Sequence, residues 1–130
     1  MAHPNEELVR QGYKAFGEGD METLRTLYAP DAIHVATGAG PLAGEYKGVD
    51  DVFAYYGKLF ELSGGTFKAE LQSVTSKGDD TVVATHRDKG QRGAKTLDQD
   101  ETLTFTLSGG KVTRLVEAHS DQAAYDSFWS

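Results

Sequence analysis

Between Leu115 and Asp121 the chain alternates apolar and titratable residues, and on an extended strand alternate side chains share one face. Leu115, Glu117, His119 and Asp121 therefore project one way, and Val116, Ala118 and Ser120 the other. Two carboxylates and an imidazole along one wall suit general acid–base chemistry. The competing reading has Asp121 capping a following helix and Glu117 paired with a surface lysine. A second His-x-Asp pair, His86 and Asp88, shares the face of Val82 and Ala84 and would reach the same space from the side. Its competing reading is a hydrogen-bonded packing histidine beside a turn.

Other polar candidates follow from the same parity. His34 lies opposite in face to Ile33 and Val35, and is either a cavity residue or a half-exposed edge-strand histidine. Leu103, Phe105 and Leu107 alternate with threonines, and continuing their face backwards brings Glu101 and Gln99 to a cavity mouth or to a solvated strand end. Tyr13, Phe16, Tyr28, Phe53, Tyr56, Phe60 and Trp129 offer aromatic surface that suits a small, flat, apolar ligand, although most of it is core. Tyr13, Tyr56 and Trp129 stand nearest such a ligand, because each adds a polar tip or falls at the expected mouth.

Several classes of chemistry are excluded or unsupported. The 130 residues contain no cysteine, which removes disulfides, thiolate catalysis and sulfur-ligated metals. No His-x-His or His-x-x-x-His pair occurs, so no metal is expected. Gly38 to Gly44 lack the lysine and the strand-to-helix setting of a phosphate-binding loop. A net charge of -7 repels phosphate backbones, so nucleic acid is not an expected partner. Neither a leader peptide nor a membrane span is legible, and the expected location is the cytoplasm.

The elements that must position these residues are legible as a sequence of periods. Asn5 to Gly17 repeats apolar residues at helical spacing with Asn5 as N-cap, and a second helix follows from Asp20 with Leu24, Leu27 and Tyr28 inward until Pro30. Asp31 to Thr37 reads as a strand, Gly38 to Gly48 as a loop, and Val49 to Leu62 as a third helix burying Val52, Phe53, Tyr56, Leu59 and Phe60. Thr66–Ser76, Thr81–Lys89, Lys95–Leu107 and Lys111–Ser120 read as hairpin-linked strands, with Gly90 to Ala94 as one of the turns, and Asp121 to Trp129 as a short helix. His3 falls in a tail with no assigned role. The sum is one α+β domain over residues 1–130, with three N-terminal helices on a curved antiparallel sheet and a short C-terminal helix.

This order, with Tyr13-x-x-Phe16, Gly19-Asp20-Met21, Leu27 to Ala32, Gly44 to Gly48, Gly109 to Val112 and the ending Asp121 to Trp129, resembles the SnoaL-like branch of the nuclear-transport-factor-2/ketosteroid-isomerase superfamily. The resemblance implies a cone-shaped fold, a cavity for a small apolar or aromatic ligand, and a homodimer paired through the outer sheet face, where Thr81, Val83, Thr85, Arg114, Val116 and Ala118 would lie. It implies proton transfer without a cofactor, with His119 and Asp121 as the acid–base pair and Glu117 orienting them. The ligand-facing set is then Tyr13, Phe16, His34, Tyr56, His86, Asp88, Glu101 and Trp129. Two family chemistries are not matched. The steroid-isomerase base position falls on Ala36, and its late-strand acid falls near Thr102 although Tyr13 fits its tyrosine. Arg87 and Asp88 are adjacent, so they cannot form the same-face Arg-x-Asp pair of limonene epoxide hydrolase. The rival to an enzyme is a non-catalytic ligand-binding or dimerisation module of the same fold.

Overall fold

A computed structural model describes residues 3–130. The chain runs α1 (Pro4–Gly17), α2 (Met21–Thr26), β1 (Tyr28–Ala36), β2 (Gly44–Lys47), α3 (Val49–Leu62), β3 (Lys68–Ser76), β4 (Thr81–Arg92), β5 (Lys95–Ser108), β6 (Lys111–His119) and α4 (Gln122–Trp129). The six strands form one sheet in the order β2-β1-β6-β5-β4-β3. Only two helices precede the first strand, and the third lies between β2 and β3. The sheet is mixed, because β1 returns beside β6 in the parallel sense while every other neighbour is antiparallel. No described helix is long and apolar enough to cross a membrane.

Local chemistry explains where the elements begin and end. His3 is the N-cap of α1: its Nδ1 accepts from the Asn5 amide at 3.1 Å, and Pro4 takes the first turn, where a missing N–H costs nothing. Asp20 caps α2 by accepting from the Thr23 amide. That helix stops at Thr26, so Tyr28 opens β1 and does not close α2. Pro30 sits inside β1 where pairing to β6 skips from Tyr28 to Ile33, and no ladder donor is needed there. β2 escapes the alternation test because it is four residues long and flanked by glycine, yet Ile33 to Ala36 pair with Lys47 to Gly44. β4 continues through Gly90, Gln91 and Arg92, leaving a two-residue turn in which Gly93 takes φ 60°.

On α3 the buried stripe is Val52, Tyr55, Tyr56 and Leu59, an i, i+3, i+4, i+7 set, with Phe53 and Phe60 half-buried at its flanks. α3 packs on β1 and α1 on β3 and β4, and the shared core includes Ala32, Val82, Ala84, Leu103, Phe105 and Leu115 from the sheet. α4 closes one end. Its last carbonyls are taken by Arg92 Nη1, which donates to Phe128 O at 2.6 Å, and by Lys95 Nζ, which donates to Ser127 O at 3.0 Å.

The loop after β1 lies against α4 at a glycine whose backbone conformation and close contacts both disfavour a side chain. Gly38 has φ +104°, and a Cβ there would fall on Gln122 Nε2 and 2.5 Å from Asp126 Oδ1. Gly57, in the middle of α3, has open space around it. Gly38→Ala should therefore destabilise the chain by about 1–3 kcal/mol. Gly57→Ala should stabilise it by about 0.5–1 kcal/mol. Urea midpoints at constant m decide this, and two shifts of the same sign would contradict the account.

Candidate functional site

Strand register assembles the site. His86 pairs across to Glu101, Glu101 to His119, Leu103 to Glu117, and His34 to Leu115, so four adjacent strands carry one polar row on the inner face. Above that row the same face is apolar, with Val82, Ala84, Leu103, Phe105, Val112 and Leu115. Between this wall and helices α1 and α3 lies a cavity of about 70 Å³ that opens in part to solvent. Tyr13, Phe16, His34, Tyr55, Tyr56, His86, Glu101, Glu117 and Tyr125 reach it, and among the described residues no lysine or arginine does.

The polar row holds two hydrogen-bonded groups with Glu101 between them. At one end the Tyr13 hydroxyl lies 2.6 Å from His86 Nδ1, and His86 Nε2 lies 2.8 Å from Asp88 Oδ1. At the other, Glu117 accepts from Tyr55 Oη at 2.6 Å, His34 Nε2 at 2.6 Å and His119 Nε2 at 2.8 Å. His34 Nδ1 continues to Tyr56 Oη at 3.1 Å, and Tyr56 to Tyr28 Oη at 2.7 Å. Tyr125 stacks on the His119 ring, with centroids 3.6 Å apart. Glu101 stands between the two ends, its Oε1 3.5 Å from both His86 Nε2 and His119 Nδ1. Behind it Asp88 Oδ2 and His119 Nδ1, 3.9 Å apart, are buried without a hydrogen-bond partner in the protein.

Two of the buried carboxyls are driven to opposite protonation. Burial pushes Glu117 up, but the hydrogen bonds from His119, His34 and Tyr55 and the charge of His34 outweigh it and bring the pKa down to about 2. Glu101 has no such donors. Burial, followed by the charges of Glu117 and Asp88, raises it well above the usual carboxyl range. A proton on Glu101 is what allows three carboxyls to share so small a space. Burial also pushes the Tyr13, Tyr55, Tyr56 and Tyr125 hydroxyls well above the ordinary phenol value, so each is a proton donor at neutral pH.

Of the residues singled out from the sequence, Tyr13, Phe16, His34, Tyr56, His86, Glu101 and Glu117 come together on the cavity. Glu117 has no lysine partner and is buried among histidines and a tyrosine. Asp88 and His119 share the inner face but lie outside the cavity lining, and both side chains are wholly buried. Asp121 is outside the cluster: β6 ends at His119, and the exposed Asp121 carboxylate accepts from the Ala124 amide as the N-cap of α4. Trp129 lines a smaller neighbouring pocket with Leu42 and Tyr55. Tyr55 and Tyr125 were not among the sequence candidates, and Tyr28 was named only as part of the aromatic surface. Tyr55 was findable, since it completes the helical stripe from Val52 to Leu59, whereas Tyr125 meets His119 only through the return of α4.

Ligand-type atoms of His86, Asp88 and Glu101, and of Glu101, Glu117 and His119, lie within 4.8 Å of one another. These are the residues that could hold a metal among those described. In each group a histidine nitrogen already faces a carboxylate at 2.8 Å.

Known proteins share this fold. A 40% identical relative over 124 residues, covering 95% of both chains, is the uncharacterised protein Rv0034 of Mycobacterium tuberculosis. Bal32a, from a soil-derived mobile gene cassette, superposes with a TM-score of 0.96 at 39% identity, over 99% of this chain and 98% of its own. TerC, co-crystallised with polyporic acid, shares the fold with a TM-score of 0.80 at 22% identity, over 96% and 97%. The family model described as the SnoaL-like domain matches residues 9–115. With that span running from α1 into β6, the chain belongs to the SnoaL-like domain family.

Proposed function

We propose that the cavity binds a small, largely apolar carbonyl compound and that its polar wall moves a proton between the α-carbon and the carbonyl oxygen, as an isomerase or cyclase does. The reading is carried by the opposed protonation of two buried carboxyls on one cavity, Glu101 held neutral and Glu117 held ionised. A neutral Glu101 without an internal donor is the acid that meets the ligand's oxygen. Glu117 is too weak a base to take a carbon-bound proton. It fixes the His34 and His119 rings and the Tyr55 hydroxyl instead, so His119 acts as a positioning residue. The absence of lysine and arginine from the lining disfavours carboxylate and phosphate ligands. That TerC, of the same fold, was crystallised with polyporic acid supports an organic molecule as the occupant.

The test uses β-tetralone in D2O, with deuterium entry at its α-carbon followed by NMR. Exchange should exceed that in buffer by about 10²-fold or more. Binding of β-tetralone, seen as a thermal shift, with exchange no faster than in buffer would leave a ligand-binding module.

A further inference from the structure

The proton-transfer reading leaves open which group takes the proton from carbon. We propose that the base is a relay in which the Tyr13 hydroxyl contacts the substrate and His86, oriented by Asp88, receives the hydroxyl's proton. The inference rests on that reading for its chemistry and on hydrogen-bond geometry for its parts.

The direction of the relay is set by the acceptor at its far end. The Asp88 carboxylate can only accept, so His86 Nε2 carries the hydrogen at 2.8 Å and Nδ1 presents a lone pair. That lone pair lies 2.6 Å from Tyr13 Oη, so Tyr13 donates to it. Tyr13 reaches His86 from α1 and Asp88 is two residues along the same strand face, so two rigid elements hold the three groups. The arrangement has the logic of a nucleophile–histidine–carboxylate triad with a phenol in the first place. Burial holds Tyr13 well above the ordinary phenol value, which rules out a standing phenolate and requires the two transfers to be concerted.

The α C–H bond breaks and its proton goes to Tyr13 Oη while the Tyr13 proton passes to His86 Nδ1. The electron pair left on carbon moves into the C–O unit, whose oxygen takes the Glu101 proton to give the enol. Glu101 is now an anion and His86 a cation, and these two groups lie 3.5 Å apart. Opposite charges thus appear in contact and the apolar cavity gains no net charge, where separated charges would be costly. Return of both protons, one of them to a different carbon, completes an isomerisation.

Two measurements test the relay. In full-length 15N-labelled protein, the His86 ring should carry its hydrogen on Nε2 with Nδ1 unprotonated, and Asp88→Asn should move hydrogen to Nδ1. Tyr13→Phe and Asp88→Asn should each slow β-tetralone exchange by about 10²–10⁴-fold, with affinity for β-tetralone changed by only a few-fold. A wild-type His86 with hydrogen on Nδ1, or a folded Tyr13→Phe protein that exchanges at the wild-type rate, would overturn the relay. Wild-type protein that shows the expected tautomer and exchanges nothing would instead sink the proton-transfer reading, and with it the catalytic use of these residues.

Discussion

Glu117→Gln is expected to lower the stability of the folded chain by about 3–5 kcal/mol, read as a fall in urea midpoint at constant m. The carboxylate accepts from Tyr55, His34 and His119, and all of these groups are buried. A glutamine keeps one oxygen as an acceptor and turns its amide hydrogens toward a donor that then has nowhere to go. The cost is that of leaving buried polar groups unpaired, which exceeds the net worth of the hydrogen bonds themselves. The donors left facing the amide, either His119 on β6 or Tyr55 on α3 together with His34 on β1, would be released, so the loss should be accompanied by weaker near-ultraviolet circular dichroism from the surrounding aromatic residues.

The same carboxyl gives the acid limb of the stability curve. Its folded pKa of about 2 lies below the ordinary value of 4.5, so its contribution is fully present above pH 4.5 and is lost as pH falls through about 2. At about 1.4 kcal/mol per unit this amounts to roughly 3 kcal/mol in the wild type. Glu117→Gln should lack this decline. If wild type and variant lost stability in parallel between pH 4.5 and 2, the ionised and triply donated Glu117 would be ruled out.

How much of this could be read from the chain depends on the range of the forces involved. Parity along a strand is local, so the shared faces of His86 with Asp88 and of Glu117 with His119 were legible before any fold was known. What parity cannot supply is depth. His119 and Asp121 are two residues apart, yet one is covered by the ring of Tyr125 and the other faces solvent, because β6 ends between them and α4 begins. The same limit hid the sense of β1 beside β6, since strands joined through most of the domain obey no hairpin rule. Pro30 and Tyr28 were misplaced for a different reason. A proline after a helical stripe looks like a helix stop, and only the missing ladder contacts around it show that the strand tolerates it. Tyr55 was available from helical spacing but is adjacent to Tyr56, and a single residue decides which of the two meets Glu117 and which meets His34.

Glu101 and Glu117 read alike in sequence, each an acid on the inner face of a strand, and the fold gives them opposite consequences. The folded pKa of Glu101 lies well above its ordinary value of 4.5, so its favourable contribution is fully present below pH 4.5 and is lost as pH rises toward the folded pKa. Glu101→Gln removes that loss, because a neutral amide of the same shape is what the site already holds in the protonated acid. The variant should therefore match the wild type near pH 4 and be at least as stable at pH 7 to 8. Proton donation to the ligand's oxygen is what the amide cannot do, and β-tetralone exchange should fall by about 10²–10⁴-fold. Stability and activity then move apart at one residue, the pattern expected where a fold holds an acid neutral for chemistry at some cost to itself. A Glu101→Gln protein that is less stable than the wild type at pH 8, by a margin that grows with pH, would mean that Glu101 is ionised in the folded state. In that case the neutral acid on this wall, and the donor role assigned to it, would both be wrong.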